Sequence, residues 1–150
     1  MRLYLIQHGL ALPEDKDPQK SLSPEGKEAT RKIAKFLKLK NVKVDSVWHS
    51  KKMRSIQTAK ILSEYLSCQT ILARDDLNPN DTVDVIAKEI QELSKDIMIV
   101  GHLPFLQKLA SLILSSSQDN ELISFIYSGV VCFEYKEFWR LLWMVTPELL

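Results

Sequence analysis

Two histidines and one arginine are the side chains of this sequence best suited to chemistry on an anion. His8 is followed by a glycine, His102 is preceded by one, and Arg54 lies between them along the chain. A neutral imidazole nitrogen can act as a nucleophile toward phosphorus. A guanidinium can bind two phosphate oxygens at once through its planar fork. If folding brings these three groups together, they could bind a phosphoryl group and transfer it.

Both of these histidines come directly after a segment with the residue pattern of a buried strand. The segments RLYLIQ, VDSVWHS and DIMIVGH are short and rich in apolar, β-branched or aromatic residues. The first runs into His8, the second ends at Ser50, and the third ends at His102. Ligands of open α/β sheets bind outside the carboxyl ends of the strands. We therefore expect His8, His102 and Arg54, which follows the second strand, to face one crevice.

Helical patterns alternate with these strands. Ser23 and Pro24 predict the start of a first helix, as its N-cap and its first helical residue. A second helix follows the VDSVWHS strand, with Met53, Ile56 and Ala59 spaced along one buried face. A third follows the short QTILA strand, and a fourth follows DIMIVGH. This alternation is typical of an α/β protein.

The third helix and the end of the chain complete the predicted fold. Asn80 or Asp81 is expected to cap the third helix. The predicted apolar stripe of that helix comprises Val83, Ile86, Ala87, Ile90 and Leu93. The last two apolar segments, FIYSGVVCFEYK and RLLWMVT, predict a hairpin-like pair of strands. The whole pattern predicts an α/β fold of three layers, α/β/α, with a mostly parallel central sheet and an antiparallel edge.

The composition limits the classes of partner that the chain could have. Its 150 residues, net charge of +1 and 45% hydrophobic content predict one domain over residues 1–150. The small net charge gives no indication of a nucleic-acid partner. Cys68 and Cys132 form no CxxC pair, so neither a metal site nor a disulfide framework is expected. The apolar run from Leu3 to Ile6 is too short for a signal peptide or a membrane span, so a cytoplasmic location without membrane contact is expected.

Several short motifs resemble those of the histidine phosphatase superfamily, in the same order along the chain. They are His8-Gly9, Ser50…Arg54…Gln57-Thr58-Ala59 and Gly101-His102-Leu103-Pro104. The segments Ser21–Gly26 and Leu77–Pro79, together with the short length, look like the SixA branch. Members of that branch are phosphohistidine phosphatases that act on histidine-containing phosphotransfer domains. The resemblance therefore implies a phosphoglycerate mutase-like fold and a phosphatase of signal transduction.

The resemblance also implies a role for each matched residue. His8 would be the nucleophile that becomes phosphorylated, and Arg54 and His102 would complete the catalytic set. A protonated His102 would add a second positive donor to the phosphate pocket. The residues implied in substrate binding are Gln7, Gly9, Lys20, Ser50 and Gly101. No metal and no cofactor is implied, and the expected partner is a protein that carries a phosphorylated histidine.

Three positions depart from the family pattern. The family has an arginine before the nucleophilic histidine, whereas Gln7 supplies a donor without a charge or a bidentate fork. Losing one preorganised donor to a developing oxyanion commonly costs about a hundredfold to a thousandfold in rate. Lys20 stands where the SixA pattern has arginine, and Lys51 stands where the wider family usually has proline. We therefore expect an activity reduced by Gln7.

No residue stands out as the proton donor for a leaving group. Asp15, Asp17, Asp75 and Asp76 lie in predicted loops, where each is expected to be a solvated carboxylate. A departing imidazole needs little help once it is protonated, so a missing acid favours phosphohistidine over an alkyl phosphate ester. Two other functions stay open. One is a weak or inactive module that binds phosphate or a phosphoprotein, and the other is a phosphatase of a small phosphorylated metabolite.

Overall fold

The computed structural model describes residues 1–150 and contains six strands and four α-helices. The strands are β1 (Arg2–Gln7), β2 (Ser46–Ser50), β3 (Ile71–Arg74), β4 (Ile97–Gly101), β5 (Val130–Tyr135) and β6 (Trp139–Val145). The helices are α1 (Pro24–Leu39), α2 (Met53–Leu66), α3 (Asp84–Leu93) and α4 (Phe105–Ser115), and a short 3-10 helix spans Pro147–Leu149. None of these helices has the length and apolar character needed to span a membrane.

All six strands form one sheet in the order β3-β2-β4-β1-β5-β6. The pairs β2–β3, β2–β4 and β1–β4 are parallel, whereas β5 runs antiparallel to both β1 and β6. The predicted mostly parallel sheet with an antiparallel edge is therefore confirmed. Gln7 of β1 pairs with Gly101 of β4, so the residues after these two strands, His8 and His102, begin side by side.

The sheet is covered on both faces, which explains why β1 reads as a continuous apolar run. Successive side chains of a strand point to opposite faces. Leu3 and Leu5 accordingly pack in the core beneath α3 and α4. Tyr4 and Ile6 pack in the core beneath α1 and α2. The two cores hold the carboxyl end of β1 rigidly between two helical layers.

The predicted N-cap is confirmed for α1 but not for α3. Ser23 is the N-cap of α1, and its hydroxyl accepts a hydrogen bond from the backbone of Gly26. The predicted cap of α3 is wrong: Val83 is its N-cap, with no side-chain cap bond. Asp81 instead accepts hydrogen bonds from the backbone and side-chain nitrogens of Asn78. The carboxylate of Asp81 therefore bonds within the loop before α3 and does not cap the helix. Ile86 and Ile90 are buried as predicted, but Leu93 at the end of the predicted stripe is exposed.

The buried face of α2 differs from the predicted one. Met53 and Ile56 are only partly buried, while Ser55 and Thr58 are completely buried beside Ala59. Small hydroxyl side chains can be buried when they are hydrogen-bonded. The rotation of α2 is therefore set by polar contacts as well as by apolar ones.

Candidate active site

His8 emerges from the end of β1 with its ring held in one orientation. Its backbone nitrogen donates to the Gly101 carbonyl over 3.0 Å, and its ring Nδ1 lies 2.7 Å from the Gly9 carbonyl oxygen. A carbonyl oxygen only accepts hydrogen bonds, so Nδ1 carries the proton of the neutral ring. The Nε2 atom is then left with a free lone pair.

Arg54 faces that lone pair from the first turn of α2. Its Nε donates a hydrogen bond to His8 Nε2 over 3.3 Å, which agrees with the tautomer set by Gly9. Burial lowers the pKa of His8 to about 4, against a raising effect of the Gly9 bond, and the charges of Arg54 and Lys20 lower it further. Burial also lowers the pKa of Arg54. The His8 imidazole is therefore neutral near pH 7, with Nε2 unprotonated.

His102 lies against the other imidazole. The two ring centroids are 5.0 Å apart, and His102 Nε2 is hydrogen-bonded to Ser50 Oγ over 2.6 Å. Burial lowers the pKa of His102 to about 3, and the nearby His8 and Arg54 lower it further. The His102 ring is therefore neutral near pH 7, whereas the family resemblance had suggested a protonated ring. The Nδ1 atom of this ring is buried without a hydrogen-bond partner.

A cavity of about 300 Å³ opens beside His8. Its charged lining residues are Lys20 and Arg54, and its apolar wall runs from Leu10 to Pro13. Tyr127 completes the lining and lies 5.5 Å from His8 between ring centroids. Sequence reasoning missed Tyr127 because it placed this residue inside the predicted strand FIYSGVVCFEYK, whereas β5 begins only at Val130.

The remaining predicted site residues lie outside this lining. A side chain at Gly9 would place its Cβ atom 2.9 Å from Thr30 Oγ1 and 3.1 Å from the Gly26 carbonyl oxygen. A Cβ atom at Gly101 would lie 3.1 Å from the side chain of Leu106. A glycine at position 9 therefore allows the chain to pass close to α1.

Gln7 is the site residue with the least satisfied side chain. Its side chain is buried, with 7% of the residue exposed, and its Oε1 atom has no hydrogen-bond partner. Its backbone carbonyl accepts from Ser128 over 2.9 Å. A buried amide oxygen without a partner costs free energy, so this position is not explained by the packing of the fold.

The residues after Arg54 hold the site together. Thr58 Oγ1 accepts a hydrogen bond from the Gly9 backbone over 3.0 Å and donates to the Arg54 carbonyl over 2.7 Å. Gln57 Oε1 accepts from the backbone of Leu22 over 2.6 Å. Ser55 Oγ donates to the Val100 carbonyl of β4 over 2.9 Å. The first turns of α2 thus bind the loop after β1 and the end of β4 directly.

No carboxylate lines the cavity. Asp75 forms an exposed ion pair with Lys51 over 2.7 Å. Hydrogen bonds from Arg74 lower the pKa of Asp76. Asp17 accepts hydrogen bonds from the backbones of residues 19 and 21. Of the four loop carboxylates considered as proton donors, Asp17, Asp75 and Asp76 are thus engaged elsewhere, and Asp15 does not line the cavity.

The lowered pKa values of His8 and His102 make stability depend on pH. We expect the free energy of unfolding to fall as the pH drops from about 6.5 toward 4, because the unfolded chain binds protons that the folded rings exclude. Each histidine contributes a slope of up to about 1.4 kcal/mol per pH unit in this window. Urea unfolding between pH 7 and pH 4.5 measures the slope. His102→Asn should reduce it, and an equal slope in that variant would contradict the low pKa of His102.

The fold is similar to solved structures of phosphatases. The structure of the protein histidine phosphatase SixA complexed with tungstate matches with a TM-score of 0.89 and 21% identity, over 99% of both chains. Phosphoserine phosphatase from Entamoeba histolytica, in complex with 3-phosphoglyceric acid, matches with a TM-score of 0.73 and 18% identity, also over 99% of both chains. These likenesses confirm the predicted phosphoglycerate mutase-like fold.

One curated protein and one family model match at the level of sequence. The rat 6-phosphofructo-2-kinase/fructose-2,6-bisphosphatase 4 is 39% identical over 64 residues, which are 41% of this chain and 14% of the rat protein. The family model described as the histidine phosphatase superfamily (branch 1) matches residues 3–79. That range contains His8, Lys20 and Arg54. The chain therefore belongs to the histidine phosphatase superfamily.

Proposed function

We propose that this chain hydrolyses phosphohistidine on a protein, through a phosphohistidine intermediate on its own His8. The observation that carries the proposal is that the two ring nitrogens of His8 have different hydrogen-bond partners. The Gly9 carbonyl oxygen holds the proton on Nδ1, while Nε2 is unprotonated and faces the Arg54 guanidinium. A nucleophilic lone pair beside a cation is the arrangement that phosphoryl transfer needs.

The first step transfers the phosphoryl group to His8. Arg54 and Lys20 bind the phosphoryl oxygens as the group enters the cavity, so Arg54 gives up its hydrogen bond to the lone pair. His8 Nε2 forms a bond to phosphorus while the phosphorus–nitrogen bond of the substrate breaks. The departing imidazole retains the bonding electron pair and takes a proton from solvent. The Gly9 carbonyl oxygen stabilises the positive charge on the phosphorylated His8 ring through Nδ1.

The second step returns His8 to its starting form. A water molecule attacks phosphorus, its oxygen forms the new bond, and the bond from phosphorus to Nε2 breaks. The electron pair returns to Nε2, the proton of the water passes to solvent or phosphate, and inorganic phosphate leaves. Burial favours the neutral His8 ring, which assists this departure. His102 lies against the reacting ring, and its protonation on binding of the anionic phosphoryl group would add positive charge.

The lining favours a phosphorus–nitrogen bond over a phosphate ester. No carboxylate lines the cavity to protonate an alkoxide leaving group. An alkoxide is a poor leaving group without such an acid, whereas a protonated imidazole leaves readily. The open cavity between the loop after β1 and Tyr127 also admits a side chain presented by another protein.

The proposed substrate class is tested by comparing protein and small-molecule phosphates. A histidine-containing phosphotransfer domain carrying labelled phosphate should lose its label in the presence of catalytic amounts of this chain. A panel of sugar and nucleotide phosphates should release phosphate at least about a hundredfold more slowly, because no acid assists their leaving groups. Faster hydrolysis of any sugar phosphate would contradict the proposal and favour a metabolite phosphatase.

A second candidate function is a module that binds a phosphorylated protein without turnover. It is favoured by Gln7, which places an uncharged, buried side chain next to His8. A binding module has no need of a nucleophile, so the orientation of His8 argues for the enzyme.

A further inference from the structure

Tyr127 presents an aromatic face that reaches from the nucleophile to solvent. Its ring centroid lies 5.5 Å from that of His8, with 44° between the ring planes. The residue is 45% exposed, whereas the other ring beside His8, that of His102, is 2% exposed. Tyr127 and Arg54 line the same cavity. The tyrosine ring therefore forms part of the mouth through which a substrate must enter.

The rest of the lining offers little to a polar leaving group. In the proposed reaction His8, Arg54 and Lys20 are all occupied by the phosphoryl group. What remains is the Tyr127 ring and the wall from Leu10 to Pro13, which is apolar in its side chains. The hydroxyl groups of a sugar would lose water there without gaining hydrogen-bond partners, which is costly. A flat heteroaromatic ring has far fewer polar groups to desolvate.

We infer that the Tyr127 ring is the face on which the imidazole of the phosphorylated substrate packs, and that Tyr127 thereby selects aromatic leaving groups. This inference rests on the proposed function. In an in-line displacement the leaving nitrogen lies across phosphorus from His8 Nε2, toward the mouth that Tyr127 lines. The leaving imidazole departs with the bonding electron pair and one proton as a neutral ring, so its contact with Tyr127 is one between two aromatic rings. Such a contact is made when the substrate binds and is kept to the transition state, so it raises kcat/KM for substrates whose leaving group is a ring.

Two small probes that share a phosphorus–nitrogen bond isolate the contribution of the ring. Phosphoimidazole carries an imidazole leaving group, whereas phosphoramidate releases ammonia and has no ring. Tyr127→Leu should lower kcat/KM for phosphoimidazole by about threefold to tenfold and leave kcat/KM for phosphoramidate nearly unchanged. Tyr127→Phe keeps the ring without the hydroxyl and should behave as the unsubstituted chain. Phe138→Leu, which removes a 58% exposed ring elsewhere, is the matched control and should change neither probe.

The outcomes separate this inference from the proposed function. Equal losses for both probes in Tyr127→Leu would overturn the role of the ring, and so would a loss of phosphoimidazole selectivity in Tyr127→Phe. In either case the proposed function would stand, because it is tested by the loss of label from the phosphotransfer domain. If the unsubstituted chain hydrolyses neither probe, the role of Tyr127 is overturned, and the label on the phosphotransfer domain still decides the proposed function. Retained phosphoramidate hydrolysis shows that each variant is folded.

Discussion

Replacing His8 with alanine is expected to lower the rate of phosphohistidine hydrolysis by at least about a thousandfold, since it removes the proposed nucleophile. Arg54 and Lys20 remain in His8→Ala, so binding of the phosphorylated substrate should persist. The measurement is label transfer from a phosphorylated phosphotransfer domain. A brief reaction quenched in base should show label on the unsubstituted chain and none on His8→Ala.

The control for His8→Ala is a substitution of the remaining histidine of the chain, His49 on β2. His49 is buried, and its ring Nδ1 bonds the Ser50 carbonyl oxygen over 2.8 Å, but it does not line the cavity. His49→Gln should therefore retain activity. Thermal unfolding of His8→Ala establishes that the chain is still folded. Hydrolysis by folded His8→Ala at the unsubstituted rate would overturn the covalent mechanism.

The second large effect is a gain of activity in Gln7→Arg. We expect kcat for the phosphotransfer domain to rise by about tenfold to a hundredfold, since arginine adds a charge and a bidentate fork beside His8. The physical reason is that Gln7 leaves the phosphoryl oxygens with Arg54 and Lys20 as the charged groups of the cavity. Steady-state kinetics of the two chains give the comparison.

Gln7→Lys provides the matched control for the geometry of the added charge. Lysine adds a point charge without a planar fork, so its gain should be smaller than that of arginine. Absence of turnover in all three chains, with affinity for the phosphorylated domain intact, would contradict the enzyme and support the binding module. A loss of activity in Gln7→Arg, in a chain that thermal unfolding shows to be folded, would contradict the expected gain.

The elements that carry the site could be predicted because their signals are local. RLYLIQ and DIMIVGH are apolar because each strand is covered on both faces. Parallel neighbours end at the same edge of a sheet, so two histidines placed after such strands meet once the strands pair. The Ser23 cap was equally predictable, since it acts only three residues along the chain.

The contacts of α2 were not predictable in the same way. Apolar periodicity favoured Met53 and Ile56 as the buried face, whereas Ser55 and Thr58 are buried. Their hydroxyl groups bond the carbonyl of Val100 and the backbone of Gly9, which belong to other elements. Hydrophobic periodicity contains no information about hydrogen-bond partners in distant segments. Serine and threonine are therefore predicted to be exposed even where their hydroxyl groups are buried.

By itself the sequence determined the alternation of strands and helices, the family, and the placing of His8 and His102 at the ends of two strands, whereas the pairing of β1 with β4 came from the tertiary structure. Only the tertiary structure decided which nitrogen of His8 is free, because that depends on the Gly9 carbonyl oxygen and on Arg54 of another element. It also decided that both imidazoles are neutral, since burial lowers both of their pKa values. The tertiary structure likewise decided that Tyr127 lines the cavity beside His8. Periodicity reports the faces of single elements, whereas tautomers, pKa values and cavity walls arise between elements that are distant in the chain.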